Sequence, residues 1–254
     1  MKETFVVHTN FIADSDALLQ WLKDFDAKGE YVVKGERNSI KKYKVEGAFV
    51  NAKKFKTPNI FQSLVYQFLR KSKARRSFEY AEKLIHLGIH TPFPVAYYER
   101  FVFGLKESFY ISQHLEYDFD FRVLNHNPKW PNRKEILEQM ATFTFQLHER
   151  NINFMDHSPG NTLIIEKDKG DYEFYLIDLN RIRFEKMNFH QRMKNFRRLW
   201  LSKTMINIMA PIYAKLYGTT EAETYTLMTF YSRKFQRKVN SKKMRKRKKR
   251  IFNM

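Results

Sequence analysis

A chain of 254 residues can bury a sizeable core and supply more than one lobe. Aromatic content of 16% and only 8 glycines argue against a disordered or low-complexity chain, and the absence of cysteine excludes disulfides and cysteine-ligated zinc, which fits a reducing cytoplasm. The formal net charge of +20 points to anionic partners.

The amino-terminal residues contain no signal-peptide core, because Glu3, Thr4, His8, Asn10 and Asp14 interrupt short apolar runs. No stretch approaches the length of a membrane span, so a soluble cytoplasmic protein is expected. Glu30 to Gly35 and Lys41 to Gly47 read as two strands joined by a polar turn at Glu36, Arg37, Asn38 and Ser39. Ala48 to Lys56 completes a three-strand meander. Lys53 and Lys54 must then point to opposite faces. The basic run Arg70 to Arg76 either contacts acidic substrate groups or is a solvated helix start. Ser72 to Leu87 reads as a helix closed by Gly88, with Ala74, Phe78, Ala81, Leu84 and Ile85 near helical spacing and with Glu79 and Glu82 as its acids. Val95 to Glu99 and Ser108 to His114 read as strands, and Asn125 to Pro128 as a loop. Asn132 and Glu135 resemble a capping box for a helix from Arg133 to Arg150, whose apolar stripe is Ile136, Met140, Phe143 and Leu147. Thr162 to Glu166 and Tyr172 to Ile177 form a hairpin about the polar turn Lys167 to Asp171. Phe189 to Trp200, Lys203 to Tyr217 and Thr220 to about Lys238 read as three further helices with aromatic and methionine stripes of ordinary core type.

The chemistry concentrates between the Arg133 helix and the end of the hairpin. Asp156 and Asn161 lie five residues apart across a Ser-Pro-Gly turn, so a carboxylate and a carboxamide can face one point. Asp178 ends the hairpin that Asn161 begins, which brings these two together although seventeen residues separate them. Phosphoryl transfer requires mainly positioning and charge neutralisation. Asp156 suits the base that takes the acceptor hydroxyl proton, and Asn161 and Asp178 suit magnesium, a hard cation that prefers oxygen ligands. Clusters of Asp, Asn and Gly also occur in ordinary surface turns.

Asp156 to Asn161 followed by Leu176-Ile177-Asp178 resembles the catalytic loop and metal-binding segment of the protein-kinase-like superfamily, H-R-D-x-x-x-x-N and D-F-G. Ser158-Pro159-Gly160-Asn161 and Leu179-Asn180-Arg181 resemble more closely the lipopolysaccharide core-sugar kinases, the Kdo kinase family, over about residues 30 to 200. Phe154 and Met155 replace the usual His-Arg, and Leu179-Asn180 replaces Phe-Gly. The resemblance implies an α+β, bilobal protein-kinase-like fold. Its N-lobe would be a small antiparallel sheet plus helix over residues 1–115, its C-lobe mainly helical over 116–232, and 233–254 would be a basic helix or tail. It further implies that Lys53 aligns the α- and β-phosphates of ATP and that Glu79, with Glu82 as runner-up, orients that lysine. Gly35 would lie at the phosphate cover, and Gln113 to Tyr117 would form a hinge that bonds adenine through backbone. The activity implied is an ATP- and magnesium-dependent kinase acting on a sugar hydroxyl of lipopolysaccharide inner core. A catalytically silent nucleotide-binding or scaffold relative, and a kinase for a protein or another small molecule, are the alternatives.

Charge adds a partner. Arg233 to Arg250 holds twelve Lys and Arg and no acid, leaving +8 elsewhere. A cluster of this kind favours an anionic membrane surface, and the enzyme is expected as a peripheral protein at the inner face of the inner membrane. Simple solvation of a tail is the alternative. Nucleic acid is not expected as a partner, because no stacking-aromatic RNA motif or zinc finger is present.

Overall fold

The computed structural model describes residues 1–35, 38–45, 47–168 and 170–252, with side chains described up to residue 247. The chain divides into two compact units, Met1–Glu116 with Asp178–Asn180, and Tyr117–Ile177 with Arg181–Met254.

In the first unit, β1 (Lys2–Val7), β2 (Glu30–Lys34), β3 (Asn38–Val45), β4 (Ala48–Phe55), β5 (Pro94–Phe101) and β6 (Leu105–Gln113) form one antiparallel sheet in the order β1-β5-β6-β4-β3-β2. The expected meander is β2 to β4. Asn38 and Ser39 belong to β3 rather than to the turn, since they pair with Phe55 and Lys54, while Glu36 and Arg37 lie outside the described residues. Strand alternation gives the sheet two apolar faces. Leu18, Trp21 and Leu22 of α1 (Ser15–Lys23), with Phe25, pack on Val50, Ala52, Ala96, Phe109 and Ile111. Full burial of such side chains stabilises by about 1.5–3 kcal/mol each. On the opposite face, Ala74 and Phe78 of a long helix meet Phe55, Tyr97 and Tyr110. That helix is α3 (Lys73–His86), and α2 (Ile60–Phe68) precedes it.

The second unit begins with β7 (Phe119–Asp120), α4 (Arg122–His126), α5 (Arg133–Glu149) and β8 (Ile152–Phe154). It continues through β9 (Thr162–Glu166), β10 (Tyr172–Leu176), β11 (Ile182–Phe184), α6 (Phe189–Phe196), α7 (Lys203–Tyr217) and α8 (Glu221–Phe252). The expected hairpin is β9 and β10, with Tyr172 opposite Glu166 and Leu176 opposite Thr162; Lys169 in its turn lies outside the described residues. The capping box at Asn132 does not form. Its backbone is left-handed (φ +51°) and makes no side-chain cap, and its amide donates to the Tyr172 hydroxyl at 3.0 Å instead. A reciprocal box does cap α6, between Asn188 and Gln191. The last helix does not end near Lys238 but continues to Phe252, because Lys and Arg are good helix formers even where no apolar stripe remains.

Candidate active site

Asp156 sits in a loop closed from both sides. β8 pairs with β11, placing Ile182 opposite Phe154, and the Met155 N–H donates to the Arg181 carbonyl at 3.2 Å. Within the loop, Ser158 N–H donates to Asp156 O (2.6 Å) and Asn161 N–H to Ser158 O (2.9 Å). Asn195 Nδ2 holds the entry strand through Asn153 Oδ1 (2.9 Å) and Phe154 O (3.1 Å). Gly160 permits the Arg122 guanidinium to lie against the turn, since a Cβ there would stand 1.9 Å from Arg122 Nη2.

Asn161 donates its amide Nδ2 to the Asp156 carbonyl at 2.8 Å. This bond ties the two candidate residues into one loop and leaves the Asn161 carbonyl oxygen as the atom for a ligand. The Asp156 carboxylate accepts from two arginines, Arg181 Nη1 on Oδ2 and Arg198 Nη1 on Oδ1, each at 3.2 Å. Arg181 appears in the sequence motif without a role, and Arg198 carries no sequence signal: it lies 42 residues beyond Asp156 and reaches it only through the fold.

Phe154 and His157 flank Asp156 in the chain. Both are fully buried, and their rings stack with centroids 5.6 Å apart. Burial pushes the His157 pKa down to about 4, and burial with the Arg192 charge nearby pushes that of His148 down to about 3. Both rings are therefore neutral in the folded protein at pH 7, whereas an unfolded histidine titrates near 6.5. The unfolded chain binds more protons as the pH falls below about 6.5, so each ring costs about 1.4 kcal/mol of stability per pH unit from there down to its folded value. Denaturant melts from pH 7.5 to 4.5 should show this loss, and His148→Gln/His157→Gln should flatten it; an unchanged slope in that variant would contradict the assignment.

In the first unit, Lys53 and Lys54 diverge as strand geometry requires. Lys54 Nζ pairs with the Asp26 carboxylate at 3.1 Å on the α1 face, whereas Lys53 pairs with Asp178. Asp178 has φ +61°, a left-handed conformation that Asp tolerates better than most residues. The segment after it is anchored by the buried Arg76, whose Nη1 donates to the Asn180 carbonyl at 2.7 Å and whose Nε donates to Ser72 O at 3.3 Å. One member of the basic run Arg70 to Arg76 is thus an internal clamp rather than a solvated charge. In the second unit Ile177 N–H donates to Asn161 O at 3.0 Å, so the hairpin ladder delivers the chain beside Asn161 one residue before Asp178.

Glu79 lies on α3 within a basic cluster. Its carboxylate accepts from Lys71 Nζ (2.8 and 2.9 Å) and from Arg75 Nε (2.8 Å), and these bonds hold its pKa below the usual carboxylate range against the opposing effect of burial. Arg75 lies one turn earlier on the same helix, so a local pairing satisfies this acid. Burial raises the pKa of Glu82. Gly35 follows β2, and a Cβ there would stand 3.1 Å from Asn38 O, a close approach that favours glycine. Among the described residues no group of three or more His, Cys, Asp or Glu converges as a metal site.

A solved structure described as WaaP in complex with acyl carrier protein is similar to this chain with a TM-score of 0.65 at 17% identity, covering 92% of this chain and 98% of that one. The fold is therefore α+β and protein-kinase-like, with one antiparallel-sheet unit and one mainly helical unit. The family profile described as lipopolysaccharide kinase (Kdo/WaaP) matches residues 33–231, and the chain belongs to that family. No curated protein matches it by sequence.

Proposed function

We propose that this chain is an ATP- and magnesium-dependent kinase that phosphorylates a sugar hydroxyl of the lipopolysaccharide inner core. Family membership supports kinase chemistry on lipopolysaccharide core. The observation that carries the residue assignment is the Asp156 to Asn161 loop, where the Asn161 carboxamide donates to the Asp156 main-chain carbonyl and so holds both residues in one turn.

In this reading Asp156 accepts the proton of the attacking hydroxyl. Asn161 Oδ1 and the Asp178 carboxylate are hard oxygen donors and fit magnesium, which keeps few protein ligands beside substrate phosphates. When bound, the metal neutralises charge on the triphosphate. Lys53 exchanges its Asp178 partner for the α- and β-phosphates, and Gly35 lies by the phosphate cover. Glu79, bonded to Lys71 and Arg75, would orient Lys53.

Arg181 and Arg198 orient the Asp156 carboxylate from both oxygens. Arg181→Ala and Arg198→Ala should each lower kcat by about 10–100-fold, the scale for a misplaced reacting group, with the KM for ATP unchanged. Steady-state kinetics in ATP and in acceptor check this, and a kcat within twofold of wild type would contradict it.

The basic C-terminal part of α8 would place the enzyme against anionic lipid, about 1 kcal/mol per basic residue near the surface. The enzyme would then work as a peripheral protein at the cytoplasmic face of the inner membrane. No helix among the described residues is long and apolar enough to cross a membrane. Because the similar WaaP structure contains acyl carrier protein, that protein is the one protein partner to test here. The acceptor is tested by mass spectrometry of core glycolipid from cells lacking and restored for this gene. Loss of one phosphate, regained on restoration, supports the reading, and identical glycolipid in both strains would sink it.

A further inference from the structure

Helix α2 is built inside out. Its buried residue is the polar Ser63, whose hydroxyl donates to the Leu105 carbonyl at 2.8 Å. At 3.6 residues per turn, Ile60, Phe61, Leu64 and Phe68 fall in a stripe about 100° wide. That stripe faces solvent: Ile60 is 77% exposed, Phe61 75%, Leu64 42% and Phe68 72%, and the adjoining Leu69 is 81% exposed. Packing fixes the orientation. Gly104, in the turn between β5 and β6, approaches so closely that a Cβ there would stand 2.4 Å from Ser63 Oγ. Asn59 caps the helix by accepting from Gln62 N–H at 2.9 Å. Phe103 beside Gly104 is 90% exposed.

Large apolar side chains collected on one exposed face mark an interaction surface, whereas single exposed apolar residues do not. Cations adjoin this one. Arg70 and Lys71 follow the helix directly, and with Lys2 and Arg75 they line a groove of about 520 Å³ that also meets Phe68 and Leu69. The acids there are Glu99, in the groove, and Glu79, which pairs with Lys71 and Arg75.

We infer that α2 is a membrane-docking element whose apolar stripe enters the headgroup and acyl boundary of an anionic bilayer, with Arg70 and Lys2 beside lipid phosphates. A short helix with Phe, Ile and Leu on one face and Lys and Arg at its flank has the composition of an interfacial helix, and the net charge of +20 complements anionic lipid. The inference extends the membrane reading made from α8, but it rests on different residues.

Sedimentation of the full chain with vesicles of phosphatidylglycerol and phosphatidylcholine tests it, with pure phosphatidylcholine vesicles as the neutral control. Phe61→Asp/Phe68→Asp changes two exposed side chains and should keep the wild-type thermal midpoint while lowering partition into anionic vesicles by about tenfold or more. A tryptophan placed by Leu64→Trp should be quenched by brominated lipid in the same vesicles. Charge reversal in α8 is the separate arm. If only that variant loses binding, the α2 inference falls and the α8 reading stands; if only the α2 variant loses it, the reverse holds. Unchanged partition in the α2 variant together with loss of dimers, or with loss of binding to purified acyl carrier protein, would overturn the inference in favour of a second copy or a protein partner.

Discussion

Asp156→Asn should lower kcat by about 10²–10⁴-fold while leaving the KM for ATP near its wild-type value, the range expected when a general base is removed. The substitution keeps shape and hydrogen-bonding reach but cannot take a proton. The loop does not depend on the carboxylate for its course: Ser158 and Asn161 bond to backbone within it, Met155 bonds to Arg181 O, and Asn161 Nδ2 bonds to the Asp156 carbonyl rather than to its side chain. What changes besides the base is the anionic partner of Arg181 and Arg198. Those pairs are partly solvated, so the loss of stability should stay within about 1 kcal/mol. Kinetics with saturating ATP, together with a thermal melt, separate a chemical defect from a folding defect. Turnover within threefold of wild type would remove Asp156 from the mechanism.

Asp178→Asn is expected to cost about 10²–10³-fold in kcat, comparable to deleting one electrostatic stabiliser of a transition state, and to move the magnesium dependence to higher concentration. Asn tolerates the left-handed backbone that Asp178 adopts at φ +61°, so this variant tests charge without adding backbone strain, as Ala would. Lys53→Met is the informative companion because Lys53 and Asp178 are paired in the structure. If Lys53 serves the phosphates and Asp178 the metal, Lys53→Met raises the KM for ATP without shifting the magnesium midpoint. Titrations of magnesium at fixed ATP, and of ATP at fixed magnesium, distinguish the two. An Asp178→Asn enzyme with an unaltered magnesium midpoint would contradict the metal assignment.

What was legible before the structure follows from how local each signal is. Asp156, Asn161 and Asp178 belong to a loop and hairpin whose turn residues and alternation are written within two dozen positions, and the ladder forms where that pattern implies. Alternation along the strand says that Lys53 and Lys54 part but leaves open which serves the nucleotide, and the fold sends one to Asp178 and the other to Asp26. Glu79 pairs with Lys71 and with Arg75 one turn earlier on α3, local partners that helical spacing makes available to an acid at this position. Arg198 and Arg76 were invisible as site residues, since each acts on a segment distant in sequence. β1 and α1 escaped because polar residues such as Glu3, Thr4, His8, Asn10 and Asp14 break the apolar pattern in and between them, and the cluster formed by Leu18, Trp21 and Phe25 takes shape only against strands far along the chain. α2 escaped for the opposite reason: its apolar stripe faces outward, so its periodicity does not mark a core.

Transfer of label from γ-³²P-ATP to purified core glycolipid, measured with and without magnesium for wild type and Asp156→Asn side by side, tests the account most directly. Magnesium-dependent labelling of the glycolipid by wild type, reduced at least a hundredfold in the variant, is the result expected from the loss of a general base. Labelling that persists in Asp156→Asn, or a folded wild-type protein that leaves ATP and glycolipid unchanged, would contradict it.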